Sequence, residues 1–139
     1  MIDPTIVLAV EQVESGGKWW VESPSGCVGV MQVCPRWSKF KRRQLFDPNV
    51  NRAEGERILE YWLTRAHGEW HRALAAYNCG NAGLEGRCGQ SYARTVWSLA
   101  YPHAKLEQGK SAEKPNQKPP VEKPPAGSNN ATDNKGGAA

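Results

Sequence analysis

The apolar positions near the N-terminus repeat with a helical period. Ile6, Val10 and Glu14 fall four residues apart, so they share one face of a helix. Asp3 is a typical N-cap residue, and Pro4 has the backbone angle that a first helical turn requires. A Gly-Gly pair follows Ser15 and can end the helix in a left-handed conformation. The pattern therefore predicts a helix over residues 4–13, with a carboxylate at the end of its apolar face.

Three further segments show helical spacing and end at glycine or proline. They run from Asp47-Pro48 or Asn51 to about Ala66, from Trp70 to about Asn78, and from Gln90 to Ala100. The glycine-rich segment 81–89 and the basic segment 36–43 are expected to be loops. Residues 30–33 form a short apolar element with little indication of strand pairing. The sequence therefore predicts a small all-α domain with a cleft between its helices.

The composition changes sharply near residue 103. All Trp, Tyr and Phe residues lie at or before Tyr101, and Pro, Lys, Gly, Ala, Asn and Glu dominate afterwards. Such a segment cannot bury enough apolar area to offset the entropy of ordering. We therefore expect a folded domain over residues 1–103 and a disordered Pro/Lys-rich tail over residues 104–139. The mixed charges of the tail favour a plain linker, and a docking segment for a protein partner is the alternative.

The charge is weakly basic, at +4 over 139 residues. It is too small and too dispersed to indicate nucleic-acid binding, and no apolar run is long enough to span a membrane. The N-terminus lacks the basic start and the long apolar run of a signal peptide. The basic segment 36–43 fits either a solvated loop or a rim that attracts an anionic polymer.

The four cysteines fall into two close pairs, Cys27 with Cys34 and Cys79 with Cys88. An even count with local spacing suggests disulfides and an oxidising site of action. Three connectivities are possible, and we favour the two local pairs because each would clamp a glycine-containing loop. Free structural thiols remain an alternative, whereas the spacing of Cys and His residues does not fit a metal site, and no cofactor is expected.

Several polar side chains stand where the predicted helices meet. Burial raises the pKa of a carboxyl, so a buried Glu14 would suit a general acid of the kind glycoside cleavage needs, whereas at a fraying helix end it would be solvated. Gln32, inside an apolar tetrad, either caps core backbone groups or faces a cleft. Tyr77 and Asn78 also end a helix, as the residues lining a cleft between packed helices would.

Five short motifs follow one another along the chain. They are Glu14-Ser15-Gly16; Ser23-Pro24-x-Gly26-x-x-Gly29-Val30-Met31-Gln32-Val33-x-Pro35; Asn49-Val50-Asn51 with Gly55; Ala73-Leu74-Ala75-Ala76-Tyr77-Asn78-x-Gly80; and Tyr92-Ala93-x-x-Val96. In this order and spacing they resemble the soluble lytic transglycosylase domain of the goose-type lysozyme-like superfamily. The resemblance covers about residues 4–101.

The resemblance implies a lysozyme-like helical domain that cleaves the β-1,4 bond between N-acetylmuramic acid and N-acetylglucosamine in peptidoglycan. Its motifs match Glu14 to the catalytic acid. They match the substrate-binding residues to Ser15, Met31, Gln32, Tyr77, Asn78 and Tyr92. Tyr77 is expected to donate to the catalytic acid and to tune its pKa.

The resemblance further implies a reaction with one carboxylate. Glu14 would protonate the leaving oxygen and then act as the base on the muramic C6 hydroxyl, which gives a 1,6-anhydro product. A lysozyme-type hydrolase and a peptidoglycan-binding module without turnover are the alternatives. We expect a monomer acting on glycan strands in the periplasm or at the cell wall, exported or delivered by a phage or virion.

The chain departs from the family pattern at its cysteines. Cys27 and Cys79 stand where the family usually has alanine, and Cys34 often reads as methionine. Because all three lie within the motifs, we expect that disulfides stiffen the cleft and that the oxidised form is the active one.

Overall fold

The computed structural model describes residues 1–104; residues 105–139, which carry most of the predicted tail, lie outside the described part. Within the described part, six α-helices form the domain. They are α1 (Pro4–Ser15), α2 (Arg42–Leu45), α3 (Pro48–Arg65), α4 (Trp70–Cys79), α5 (Asn81–Leu84) and α6 (Gln90–Ala100). A 3-10 turn spans Pro35–Trp37. The prediction of a small all-α domain is confirmed.

The ends of the long helices follow the capping signals in the sequence. The Asp3 carboxylate accepts from Thr5 N at 2.9 Å at the start of α1. Gly16 ends that helix with a φ of 63°, a left-handed angle that glycine adopts without a steric penalty. Asp47 caps α3 by accepting from Asn49 N at 2.8 Å. These local contacts explain why the boundaries of α1 and α3 were predictable.

Two segments that we predicted as loops contain short helices. The glycine-rich segment 81–89 forms α5, and the basic segment 36–43 leads through the 3-10 turn into α2. Both helices have four residues, which is too short to display a helical period in the sequence. The loop prediction was wrong at these two places, although most of each segment remains irregular.

Between α1 and the 3-10 turn the chain folds into a tight loop. Val28 makes isolated antiparallel bridges to Glu22 and to Val33. A disulfide joins Cys27 to Cys34 across the same loop. We call residues 27–34 the disulfide loop, and its Met31 and Gln32 belong to the second sequence motif.

The core lies where the long helices meet. Helix α4 packs against α3, α5 and α6, and α1 packs against α6. Val10, Leu59, Leu74 and Val96, one from each of the four long helices, are completely buried. Burying aliphatic side chains of this size stabilises the fold by roughly 1.5–3 kcal/mol each. The core therefore fixes how α1, α4 and α6 approach one another.

The second disulfide joins Cys79 to Cys88 and closes the segment that contains α5. The two local pairings favoured from the sequence are thus confirmed, and the described residues include no free cysteine. Among residues 1–104, no helix is both long enough and apolar enough to cross a bilayer. The same residues hold no group of three or more His, Cys, Asp or Glu side chains placed to share a metal ion.

Candidate functional site

Glu14 lies on the last turn of α1, on the face that the helix turns to the core. Ile6 and Val10 precede it on that face and are 1% and 0% exposed, and Glu14 itself is 3% exposed. The spacing of four residues carries the apolar stripe directly onto the carboxyl group. Of the two interpretations left open by the sequence, the structure therefore supports the buried carboxyl over the solvated helix end.

Helix α6 brings a tyrosine to this carboxyl. The Tyr92 hydroxyl donates to Glu14 Oε1 at 2.9 Å, across 78 positions of sequence. Burial, together with the charge of Glu14, raises the pKa of Tyr92 well above its ordinary value. The phenol therefore stays protonated at neutral pH and remains a hydrogen-bond donor to Glu14.

Tyr77, on α4, lies completely buried between the same elements. Its hydroxyl donates to the backbone carbonyl of Met31 at 2.7 Å, and burial followed by the charge of Glu14 raises its pKa well above the ordinary value. We expected Tyr77 to donate to Glu14; the structure shows Tyr92 donating to Glu14 Oε1, and the bond from Tyr77 to Met31 ties α4 to the disulfide loop. The neighbouring Asn78 is half-buried.

Ser15 fixes the end of α1 against the disulfide loop. Its hydroxyl donates to the Val30 carbonyl at 2.8 Å and accepts from Gly17 N at 3.1 Å. Ser15 is 8% exposed, and its contact with the Val30 carbonyl is buried. Ser15 thereby sets the position of Glu14 relative to Met31 and Gln32.

Gln32 is held in an unusual conformation. Its φ is 51°, a left-handed angle that is uncommon for a residue other than glycine and that tends to occur at functional sites. Its Nε2 donates to the carbonyls of Val21 and Gly29, each at 3.0 Å. Its Oε1 is buried and has no hydrogen-bond partner among the described residues. Of the two roles left open by its sequence context, the structure therefore shows the capping of core backbone groups by Gln32.

Asn51, on α3, is a site residue that was not among our candidates. Its Oδ1 accepts from Met31 N at 2.8 Å, and its Nδ2 donates to the carbonyls of Val28 and Leu45 at 2.7 and 2.8 Å. All three polar contacts are buried, so Asn51 holds the disulfide loop in place. A polar residue among the apolar positions of α3 was the signal that could have identified it.

Two glycines give the loop the room to sit against α3. A Cβ on Gly29 would lie 2.3 Å from Asn51 Nδ2, and a Cβ on Gly55 would lie 2.5 Å from Met31 Sδ. Real side chains do not approach this closely. Both glycines belong to the sequence motifs, and the close packing gives a physical reason for each.

Two other glutamates are buried in the domain, and arginines pair with both. Arg52 binds Glu11, which is 5% exposed, through Nε–Oε1 at 2.5 Å. Burial acts to raise the pKa of Glu54, but hydrogen bonds from Arg57 and Ser38 outweigh it and lower that pKa below its ordinary value. Both carboxylates thus form structural ion pairs with arginines, whereas the hydroxyl of Tyr92 donates to Glu14 Oε1.

An open groove of about 590 Å³ lies at the end of α6, lined by Trp70, Trp97 and Tyr101. None of the residues predicted for the site contributes to it. The candidate site lies elsewhere, where α1, α4, α6 and the disulfide loop meet around Glu14, Tyr77 and Tyr92.

The family model of the transglycosylase SLT domain matches residues 1–99. The chain belongs to this family. The match confirms the resemblance carried by the five motifs. In this SLT domain, Glu14 and Ser15 end α1, Met31 and Gln32 lie in the disulfide loop, and Tyr77 and Asn78 end α4.

Solved structures with this fold include lytic transglycosylases. The 70 kDa soluble lytic transglycosylase of Escherichia coli is 22% identical with a TM-score of 0.62, over 72% of this chain and 21% of that chain. An inactive mutant of the lytic transglycosylase Slt from Pseudomonas aeruginosa is 22% identical with a TM-score of 0.63, over 73% and 21%. A complex of the 70 kDa enzyme with bulgecin A gives 20% identity and a TM-score of 0.65, over 81% and 24%.

These likenesses establish the fold of the SLT domain. The chain spans less than a quarter of the length of these proteins.

Proposed function

We propose that this SLT domain is a peptidoglycan lytic transglycosylase and that Glu14 is its catalytic acid. The observation that carries the proposal is the buried Glu14 carboxyl with the Tyr92 hydroxyl 2.9 Å from its Oε1. A buried carboxyl tends to keep its proton, and a general acid must hold a proton to donate. Family membership supplies the substrate class, since lytic transglycosylases act on the glycan strands of peptidoglycan.

In the first step Glu14 gives its proton to the oxygen that links N-acetylmuramic acid to N-acetylglucosamine. The bond from this oxygen to C1 of the muramic residue breaks, and the N-acetyl group of the same residue stabilises the developing positive charge. One carboxyl group is sufficient for this step, because the substrate itself supplies the assisting group.

In the second step the Glu14 carboxylate removes the proton from the C6 hydroxyl of the muramic residue. The C6 oxygen attacks C1, a 1,6-anhydro ring closes, and Glu14 regains its proton. Tyr92 is a positioning residue here, because its hydroxyl fixes the carboxyl in one orientation for both proton transfers. The reaction consumes no water, which distinguishes it from hydrolysis.

The disulfide loop and the end of α4 are proposed to bind the strand. Gln32 would shape this surface by holding the loop backbone through its hydrogen bonds to the carbonyls of Val21 and Gly29. The half-buried Asn78 would contact the strand, while the buried Met31, Tyr77 and Ser15 would hold the loop and the helix ends in place around Glu14. The domain would act at the cell wall, whether it is exported or delivered by a phage or virion, and the tail stays a predicted linker or docking segment.

Mass spectrometry of the products released from purified peptidoglycan tests the proposal. We expect anhydromuramyl products from the native protein, and a decrease of at least about 100-fold with Glu14→Gln, the range for losing a general acid. Glu60→Gln is the control, because Glu60 lies on α3 outside the site and is expected to leave the yield unchanged. Reducing muramyl ends would identify a hydrolase, and no products from native protein would favour a binding module.

A further inference from the structure

Two adjacent tryptophans are exposed on the segment that follows the Glu14 helix. Trp19 and Trp20 are 50% and 58% exposed, and their rings meet edge to face with centroids 5.7 Å apart. Tryptophan is largely buried in most folded proteins, and contiguous exposed apolar surface marks interaction sites. An exposed aromatic pair of this kind is a candidate contact surface for a ligand or partner.

The backbone that carries the pair is tied at both ends to the candidate site. Lys18 N donates to the Ser15 carbonyl at 3.2 Å, directly after the end of α1. On the other side, the Val21 carbonyl accepts from Gly29 N at 2.9 Å and from Gln32 Nε2 at 3.0 Å. The segment that carries the two indoles is thus anchored at one end to the end of α1 and at the other end to the disulfide loop. A preorganised backbone lowers the entropy lost on binding.

Charged residues flank the two tryptophans in the sequence. The exposed Lys18 precedes them, and Glu22 follows them and pairs with Arg42. The other large apolar residues exposed within residues 1–104 are Met1, Leu8 and Leu99, which lie on other elements. The apolar patch is therefore only two rings wide and is flanked by hydrogen-bonding groups. A sugar ring matches this surface, because it presents C–H bonds on its face and hydroxyls at its edge.

We propose that Trp19 and Trp20 form a stacking platform for a sugar ring of the glycan strand, beside the Glu14 site. The proposal rests on the proposed function, since the ligand is the same polymer. A sugar on this platform is not one of the two sugars joined by the bond that is cleaved. The platform therefore contributes binding energy without taking part in proton transfer, and its loss should raise KM and leave kcat nearly unchanged.

The binding test uses the full chain carrying Glu14→Gln, so that the polymer stays intact, and purified peptidoglycan sacculi that are sedimented with the protein. Adding Trp19→Ala with Trp20→Ala is expected to weaken binding about tenfold, the effect typical of losing aromatic contacts. Trp19→Phe with Trp20→Phe should restore most of the affinity, because a phenyl ring keeps a stacking face. Leu8→Ala removes a similarly exposed apolar side chain on another surface and should have no effect.

Unchanged affinity in the double alanine variant, or an equal loss with Leu8→Ala, would overturn the proposal. Failure of the phenylalanine variant to recover affinity would do the same, because stacking would not be the cause. The outcome is separable from that of the proposed function. Binding that depends on the tryptophans without any products would refute the catalytic proposal and keep the platform. If products form and the KM of the reaction does not change with the tryptophan substitutions, the platform is refuted and the catalytic proposal is kept.

Discussion

The Tyr92 hydroxyl reaches Glu14 from a different helix, and this contact is where the proposed chemistry is most sensitive. Tyr92→Phe removes the hydroxyl and keeps the ring, so the packing of α6 on α1 should survive. We expect kcat to fall about tenfold, the cost of losing one hydrogen bond to a group that carries charge during the reaction. Product formation from peptidoglycan at saturating substrate measures the change.

Tyr61→Phe is the matched control for this prediction. Its hydroxyl accepts from Arg65 on α3, away from Glu14, so activity should be unchanged. Adding Tyr92→Phe to Glu14→Gln should lower activity no further, because a positioning residue acts only through the group that it positions. An additional loss in the double variant would mean that Tyr92 acts on the substrate independently of Glu14.

For single residues, the sequence predicts which side chains are buried better than it predicts their hydrogen-bond partners. Helical spacing was sufficient to put Glu14 on a buried face, because Ile6 and Val10 define that face locally. The donor to Glu14 could not be chosen between Tyr77 and Tyr92 in this way. Both come from helices distant in sequence, and the choice depends on how α4 and α6 pack against α1.

The disulfide loop is the element on which the substrate-binding part of the proposal depends. It contains Met31 and Gln32, and the Cys27–Cys34 bond closes it. Replacing both cysteines with alanine should lower the free energy of unfolding by about 2.5 kcal/mol, from the added entropy of the unfolded chain. We also expect activity to fall at temperatures where the protein stays folded, because the loop would lose its fixed shape. Denaturant unfolding and product assays measure the two effects.

The Cys79–Cys88 bond provides the comparison. Its sequence separation is 9 against 7 for the first bond, so its removal should cost a similar free energy of unfolding. The segment it closes contains α5 and neither Met31 nor Gln32, so activity should fall less. If full reduction of both bonds changed neither activity nor melting temperature, the idea that the oxidised form is the active one would be abandoned.

The long helices and the short ones differ in what the sequence reveals. Helices α1, α3, α4 and α6 have ten or more residues, and their apolar period and caps were sufficient to place them. Helices α2 and α5 have four residues each and arise from tertiary packing. The conformation of the disulfide loop could not be predicted from the sequence either, because Asn51 on α3 holds the loop through contacts between residues that are distant in sequence.

A tyrosine at the end of the last helix connects the two ends of the domain. The Tyr101 hydroxyl donates to Asp3 Oδ2 at 2.7 Å and so connects the end of α6 to the start of α1. Burial, together with this hydrogen bond, raises the pKa of Tyr101 to about 12. Tyr77 and Tyr92 have raised pKa values as well, so three phenols share a preference for the neutral form in the native state.

These shifts predict how stability depends on alkaline pH. Above the tyrosine pKa of the unfolded chain, about 10, the unfolded state releases phenolic protons that the native state retains. The tyrosines therefore contribute their full stabilisation of the native state below about pH 10. Above that pH the free energy of unfolding falls, by up to about 1.4 kcal/mol per pH unit for each tyrosine. Denaturant unfolding between pH 8 and about pH 11.5 measures this slope, and Tyr77→Phe should flatten it even though it also lowers stability at neutral pH. A slope that Tyr77→Phe leaves unchanged would show that the buried phenol does not resist ionisation in the native protein.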